Sequence, residues 1–352
     1  MTNKKDYLII GAGLSGISMG IHLVKSGNKV TLIDSGENFS SSVAAGQINP
    51  LVFRRMTKSW RVDDYLPYAE EFYTELSVDS TLPIYFPIPI RRMFSSAHEK
   101  VMWLEKQNRD GFSQYMNEIT NEDDLFDLAQ NDFGSARIKK SSYVHAINFL
   151  KAGKIWLTEK GTIIQEKVSY TDIDPTKSSY KGIIYDNILF CEGSENTNNP
   201  WFNKFIVEHT KGEVLTLHSE NINEFEALNR KCFLLPLGDK TFRLGATYVW
   251  NTPERDITEE AKIDLLDKMQ LLSKKPFEVI DQQVGIRPTT PDRRPIIGAH
   301  PEFEKLLIFN GLGTKGYLMA PLLAKEFVDY LEGKGELDKE VGIERFKNKV
   351  NN

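Results

Sequence analysis

Residues 7–16 read YLIIGAGLSG, an apolar run followed by Gly11, Gly13 and Gly16. The spacing is G-x-G-x-x-G, set between a short apolar strand and ISMGIHLVKSG, whose apolar spacing predicts a helix ending at Gly27 and Asn28. KVTLID, closing on Asp34, then reads as a second buried strand, so the segment is a βαβ unit with parallel strands. In such a unit the first glycine permits a tight turn and the second admits a pyrophosphate to the backbone. The third lets helix and strand pack closely, and the helix N-terminus supplies N–H donors. Asp34 stands where a carboxylate accepts hydrogen bonds from an adenosine ribose and would repel a 2′-phosphate. The unit itself leaves NAD and FAD equally open.

Outward from this unit, the chain of 352 residues is long enough for two domains, and 26% charged with 40% hydrophobic residues is ordinary for a globular protein. A net charge of -5 argues against broad contact with nucleic-acid phosphates. The two cysteines, Cys191 and Cys232, imply no disulfide framework or thiolate metal site, and the six histidines lack metal-ligand spacing. MTNKKD leads straight into the first strand, leaving no room for a signal peptide, and no apolar run reaches the roughly 20 residues of a membrane helix. A reducing cytoplasm is the expected compartment.

Further along, SSVAAGQINP is small and flexible, and WRVDDYLPYAEEFYTEL and YVHAINFLKAG read as helices. The prolines in LPIYFPIPIRRMF suggest edge strand or loop. The acidic NEITNEDDLFDLAQND reads as a solvated surface segment, and the interval from Gly161 to Phe190 as an antiparallel meander. GEVLTL, CFLLPLG and TFRLGATYVW are expected as strands of a second sheet with GDK as a hairpin turn, and ITEEAKIDLLDKMQLLSKK as an amphipathic helix. LLIFNGLGTKGYLMAPLLAKEFVDYLEGKG closes the chain as strand, glycine turn and helix. The fold class is therefore α/β, or α+β overall: a Rossmann-like domain with a β-meander, and an inserted domain on a mostly antiparallel sheet. We expect residues 1–80, 141–198 and 276–352 to form the first and residues 81–140 and 199–275 the second.

Taken in order, YLIIGAGLSG, AAGQINP, YVHAINFL, ILFCEGS, KGEVLTL, FRLGATYVW, GIRPTTPDRRPIIG and GLGTKGYLMAP resemble the D-amino-acid oxidase-like superfamily of FAD-dependent oxidoreductases. Glycine oxidases, sarcosine oxidases and the oxidase domain of a tRNA wobble-uridine enzyme belong to it. The resemblance implies FAD, oxidation of a C–N bond by hydride transfer to flavin N5, and a small amine or amino acid as substrate. The segment through which some sarcosine oxidases attach flavin lacks cysteine here, so the FAD is expected to be non-covalent. Asp34 is one methylene shorter than the glutamate common in the family, and Cys191-Glu192-Gly193 departs from its usual A-x-G.

The cofactor contacts implied are Gly11, Ala12, Gly13, Leu14, Ser15, Gly16, Asp34, Ser35, Ala45, Gly46, Gln47, Val168, Cys191, Gly193, Arg287, Gly311, Gly313, Thr314, Lys315 and Gly316. Arg287 in GIRP stands at the family position that clamps a substrate carboxylate, a task that suits a guanidinium fork. Lys315 precedes the last helix, where dipole and charge would favour the reduced flavin or a substrate carboxylate. Tyr248, at the end of the strand RLGATY, is the expected substrate contact, with Phe233 on the neighbouring strand. Arg54, Arg55, Lys58, Arg91 and Arg92 are weaker candidates, and Arg293 and Arg294 read as surface charges of a turn. No metal is expected. Oxidation of a modified tRNA base, a flavin-binding partner protein without turnover, and a nicotinamide-dependent dehydrogenase remain as alternatives.

Overall fold

Alternate residues of the first strand, β1 (Asp6–Ile10), enter two different cores. Tyr7 and Ile9 pack with α1 (Leu14–Lys25) and with the helices Val62–Ser80, Ala146–Lys160 and Gly316–Leu331. Leu8 and Ile10 pack with Ile173, Tyr180, Phe202 and Phe346 on the opposite side. A strand buried on both faces reads as the continuous apolar run seen in the sequence.

The computed structural model describes residues 4–37, 40–120, 131–205 and 208–346. Its first sheet has six strands in the order Thr162–Gln165, β2 (Lys29–Asp34), β1, Asn187–Phe190, Leu306–Asn310 and Ile296–Ala299. The first five run parallel and the last is antiparallel. Gly161 to Phe190 is thus an antiparallel meander only in its middle, Ile173–Asp174, Ser179–Tyr180 and Ile183–Ile184. Its two ends are parallel strands, because Thr162–Gln165 pairs with β2 and Asn187–Phe190 with β1.

Pro321 lies inside the last helix and has no N–H for the Tyr317 carbonyl one turn back. The Tyr73 hydroxyl donates to that carbonyl at 2.8 Å, so the proline is accommodated by the neighbouring helix Val62–Ser80.

A nine-stranded sheet is the second large sheet, beside two three-stranded sheets and one two-stranded pair among the described residues. Cys232–Gly238 and Thr241–Gly245 pair as the expected hairpin, with Asp239 and Lys240 at positive φ in its turn. The second half of LPIYFPIPIRRMF is not an edge: Ile90–Met93 lies between Ala227–Arg230 and Ser135–Ile138. Glu278–Thr289, expected with the cofactor domain, pairs along its whole length with Glu208–His218 and belongs to this second sheet. Most of NEITNEDDLFDLAQND falls outside the described residues.

Candidate functional site

The carboxyl edge of the six-stranded sheet and one face of the nine-stranded sheet enclose a cleft of about 550 Å³. The two glycine turns expected from sequence both border it, one after β1 and one after Leu306–Asn310.

At the first turn the chain approaches itself as closely as backbone allows. A Cβ on Gly11, whose φ is +102°, would stand 2.5 Å from the Cys191 carbonyl oxygen, and one on Gly16 would stand 1.8 Å from that of Gly11. The Asp34 carboxylate accepts from Ala12 N–H at 2.6 Å and from Gly36 N–H at 3.0 Å, and lies 3.4 Å from Lys154 Nζ. It therefore braces the glycine turn while still bordering the cleft. Ser41, in the run SSS, accepts from Leu14 N–H through its hydroxyl at 3.1 Å and from the Tyr317 hydroxyl through its carbonyl at 2.8 Å. This tie between the two turns has no signature in the sequence.

Gly13, Leu14, Ser15, Ser35, Ala45, Gly46, Gln47, Val168, Cys191, Gly193, Gly313, Thr314, Lys315 and Gly316 all line the cleft together with Gly11 and Asp34. Ala12, Gly16 and Gly311 do not. They shape the turns from behind: Ala12 is buried with its N–H on Asp34, Gly16 sits against Gly11, and a Cβ on Gly311 would meet Thr290 at 2.7 Å.

Behind the first turn lies Glu192, almost fully buried, whose carboxylate accepts from Tyr170 Oη at 2.7 Å and Asn199 Nδ2 at 2.8 Å. Burial pushes its pKa up to about 7, against the opposing pull of those two hydrogen bonds.

The second turn carries Lys315, whose ammonium donates to the Asn49 carbonyl at 2.9 Å and lies 3.4 Å from that of Leu51. Burial without a counter-ion lowers its pKa to about 8. Lys315 thus ties the last helix to the AAGQINP segment rather than projecting into water. Asn310, just before the turn, donates to the Gly193 carbonyl at 2.9 Å.

The other wall comes from the nine-stranded sheet. Gly212, Val214, Phe233, Tyr248, Gly285 and Arg287 face the cleft. Arg287 Nη1 lies 3.4 Å from the Thr247 carbonyl, and its guanidinium carbon is 5.2 Å from the centre of the Tyr248 ring. Burial lowers its pKa, opposed by Tyr248. Among the described residues no carboxylate lies within ion-pair distance of Arg287. The acids bordering the cleft, Asp34, Glu37, Glu166, Glu192 and Glu195, all come from the six-stranded side. Tyr248 does not end a strand as expected: the strand stops at Gly245, and Tyr248 stands in the link to Val249–Trp250.

The remaining basic candidates lie elsewhere. Arg54 and Arg55 are exposed outside the cleft, and Lys58 pairs with Asp63. Arg91 is fully buried on Glu226 at 2.5 Å, and Arg92 binds Glu99 at 2.6 Å. Arg294 pairs with Glu340 at 2.9 Å over the Trp60 ring, and Arg293 is exposed at a turn with positive φ. Among the described residues no cluster of His, Cys, Asp and Glu could hold a metal, and no helix is long and apolar enough to cross a membrane.

The residues present fit a dinucleotide. Gly11 and Gly13 present bare backbone to the cleft, and Gln47 Nε2, in the cleft wall, is buried without a partner. An extended ligand crossing from Asp34 to Lys315 would satisfy both features.

Residues 6–330 match the family model DAO, described as FAD dependent oxidoreductase. The chain is 23% identical to an uncharacterized oxidoreductase, YurR, of Bacillus subtilis (strain 168), over 95% of this chain and 97% of that one. It is also 23% identical to a glycine oxidase of Bacillus licheniformis, over 99% and 98%. Among solved structures, iminodiacetate oxidase from Chelativorans sp. BNC1 superposes with a TM-score of 0.82 at 19% identity, covering 96% of this chain and 99% of that one.

Proposed function

We propose, from the premise that the chain belongs to the DAO family of FAD dependent oxidoreductases, that it oxidises a C–N bond of a small amine or amino acid bearing a carboxylate. Bound FAD supplies the hydride acceptor; the substrate carbon loses a hydride, its nitrogen a proton, and water hydrolyses the resulting imine. The first glycine turn, with Gly11, Gly13 and Asp34, takes the adenosine diphosphate half, alongside Ser35, Val168, Cys191 and Gly193. Ala45, Gly46, Gln47 and the second turn from Gly313 to Gly316 border the reactive half. FAD is held without a covalent link. In this assignment residues 1–80, 141–198 and 276–352 serve the cofactor, and residues 81–140 and 199–275 the substrate, with Glu278–Thr289 contributing from the second sheet.

Arg287 carries the reading. A cation partly withdrawn from water, facing a cleft and lacking a carboxylate partner, favours an anionic ligand group. Tyr248 covers it, and Phe233 adds an apolar contact. The helix beginning at Gly316, with Lys315 at its start, favours negative charge at the reactive half. Hydride loss from a neutral amine requires no strong base, so the chain's work is placement and charge. Cys191 and Cys232, both buried and unpaired, suit a reducing cytoplasm, which we take as its compartment.

Anaerobic mixing with a panel of amino acids and N-methyl amino acids tests the proposal, because a substrate bleaches the flavin absorbance. Arg287→Ala should keep its flavin and raise KM about 100-fold, from roughly 3 kcal/mol of charge-assisted bonding. An unchanged KM would sink the assignment, and a flavin that no amine bleaches would favour a binding protein without turnover.

A further inference from the structure

Arg287 stands opposite Thr210 in the ladder between Glu278–Thr289 and Glu208–His218, and Gly285 stands opposite Gly212. Side chains two residues apart share a face, so Arg287 slants across the space above Gly212. A Cβ on Gly212 would meet Nη1 and Nη2 of Arg287 at 2.2 Å each and Cζ at 2.4 Å. The added Cβ is nearer to both Nη atoms than to Cζ, so the terminal end of the guanidinium occupies the space that a side chain on this glycine would fill. The Tyr248 ring stands 5.2 Å from Cζ, and Nη1 reaches the Thr247 carbonyl at 3.4 Å.

Gly212 has no positive φ, so no backbone demand accounts for the absence of a side chain there. Resting on the functional reading above, we infer that Gly212 is a positioning residue: its bare backbone leaves the space that the end of the Arg287 guanidinium occupies, and so fixes the cation at the cleft wall for a substrate carboxylate. A guanidinium held in one place presents its paired N–H donors to a carboxylate without first being ordered. An added methyl displaces the far end of a flexible side chain rather than backbone, so the strand persists while the cation leaves its seat.

The test titrates acetate into the FAD-loaded protein and follows the flavin absorbance. Gly212→Ala should weaken acetate tenfold or more, raising KM for a carboxylate-bearing amine with kcat nearly unchanged. Added to Arg287→Ala, it should cost nothing further. Acetate affinity that survives Gly212→Ala, or falls equally in both backgrounds, overturns the inference. Affinity that survives Arg287→Ala sinks the functional reading itself, so the two failures are distinct. If Gly212→Ala does not fold, Arg287→Lys and Gly212→Ala/Arg287→Lys are compared. Lysine lacks the Nη atoms and Cζ that the methyl would meet and should tolerate it, with acetate affinities within twofold, and a larger gap overturns the proposal.

Discussion

The two glycine turns of the cleft share one local plan, strand, glycines and helix, and differ in what stands behind them. The first is closed by backbone on backbone, with Gly16 against Gly11 and Gly11 against Cys191. The second is closed by side chains, Thr290 against Gly311 and Leu14 against Gly316, and is open at its middle, where nothing lies within 4 Å of a Cβ placed on Gly313. Each has one buried ionisable group nearby, and burial moves both toward neutrality. Glu192 behind the first is raised to about 7, and Lys315 on the second is lowered to about 8. In the function proposed above, the same strand-turn-helix plan would serve two purposes: shape where a pyrophosphate approaches, and charge where electrons arrive.

The sharpest way to break this contrast is to add one methyl to each turn. Gly16→Ala places carbon 1.8 Å from a carbonyl oxygen that cannot move without the whole turn. Loss of more than about 4 kcal/mol, or loss of FAD outright, is expected. Gly313→Ala has space and suffers only from its φ of +55°, a cost of about 1 kcal/mol. The ratio of flavin to protein absorbance in the two purified variants checks the pair. Equal FAD content in both would show that the first turn tolerates what its geometry forbids.

The first turn was legible as strand, glycine turn and helix because glycine spacing and flanking apolar runs are local features of one continuous segment. The second turn was legible as a turn, and most of the cofactor contacts expected from sequence border the cleft. Direction was not legible. Lys315 turns toward carbonyls at Asn49 and Leu51, more than 260 residues earlier in the chain, and no periodicity encodes such a contact. Ser41 and Gly212 escaped notice for the same reason: the role of each appears only beside Leu14 or Arg287. The pairing of Glu278–Thr289 with Glu208–His218 could not be read from the sequence, because strand pairing is a long-range choice. Short apolar runs such as Thr162–Gln165 carry too little pattern to separate a parallel edge strand from a meander.

A smaller effect tests the acid behind the first turn. Between pH 4.5 and about 7 the folded chain holds a proton on Glu192 that the unfolded chain has released. The unfolded state then binds fewer protons, so this group's contribution falls as pH rises through about 7. The loss between pH 5 and pH 8 should be on the order of 2–3 kcal/mol. Glu192→Gln, neutral throughout, should remove that slope. Urea midpoints at four pH values measure it, and parallel slopes in the two proteins would place the titration elsewhere.

The smallest effect probes the second turn directly. Lys315 is charged below about pH 8 and neutral above it, so any help it gives to electrons arriving on the bound flavin is confined to the lower range. Lys315→Met should lower the two-electron potential at pH 6.5 by about 20–30 mV, near 1 kcal/mol. The gap should close above pH 9, where the wild-type lysine has lost its proton. The methyl thioether also forfeits the bonds to Asn49 and Leu51, but that loss would persist at every pH. The pH dependence therefore separates charge from tether. A potential shift that stays constant to pH 9.5 would make Lys315 a strut, and the second turn would then differ from the first in shape alone.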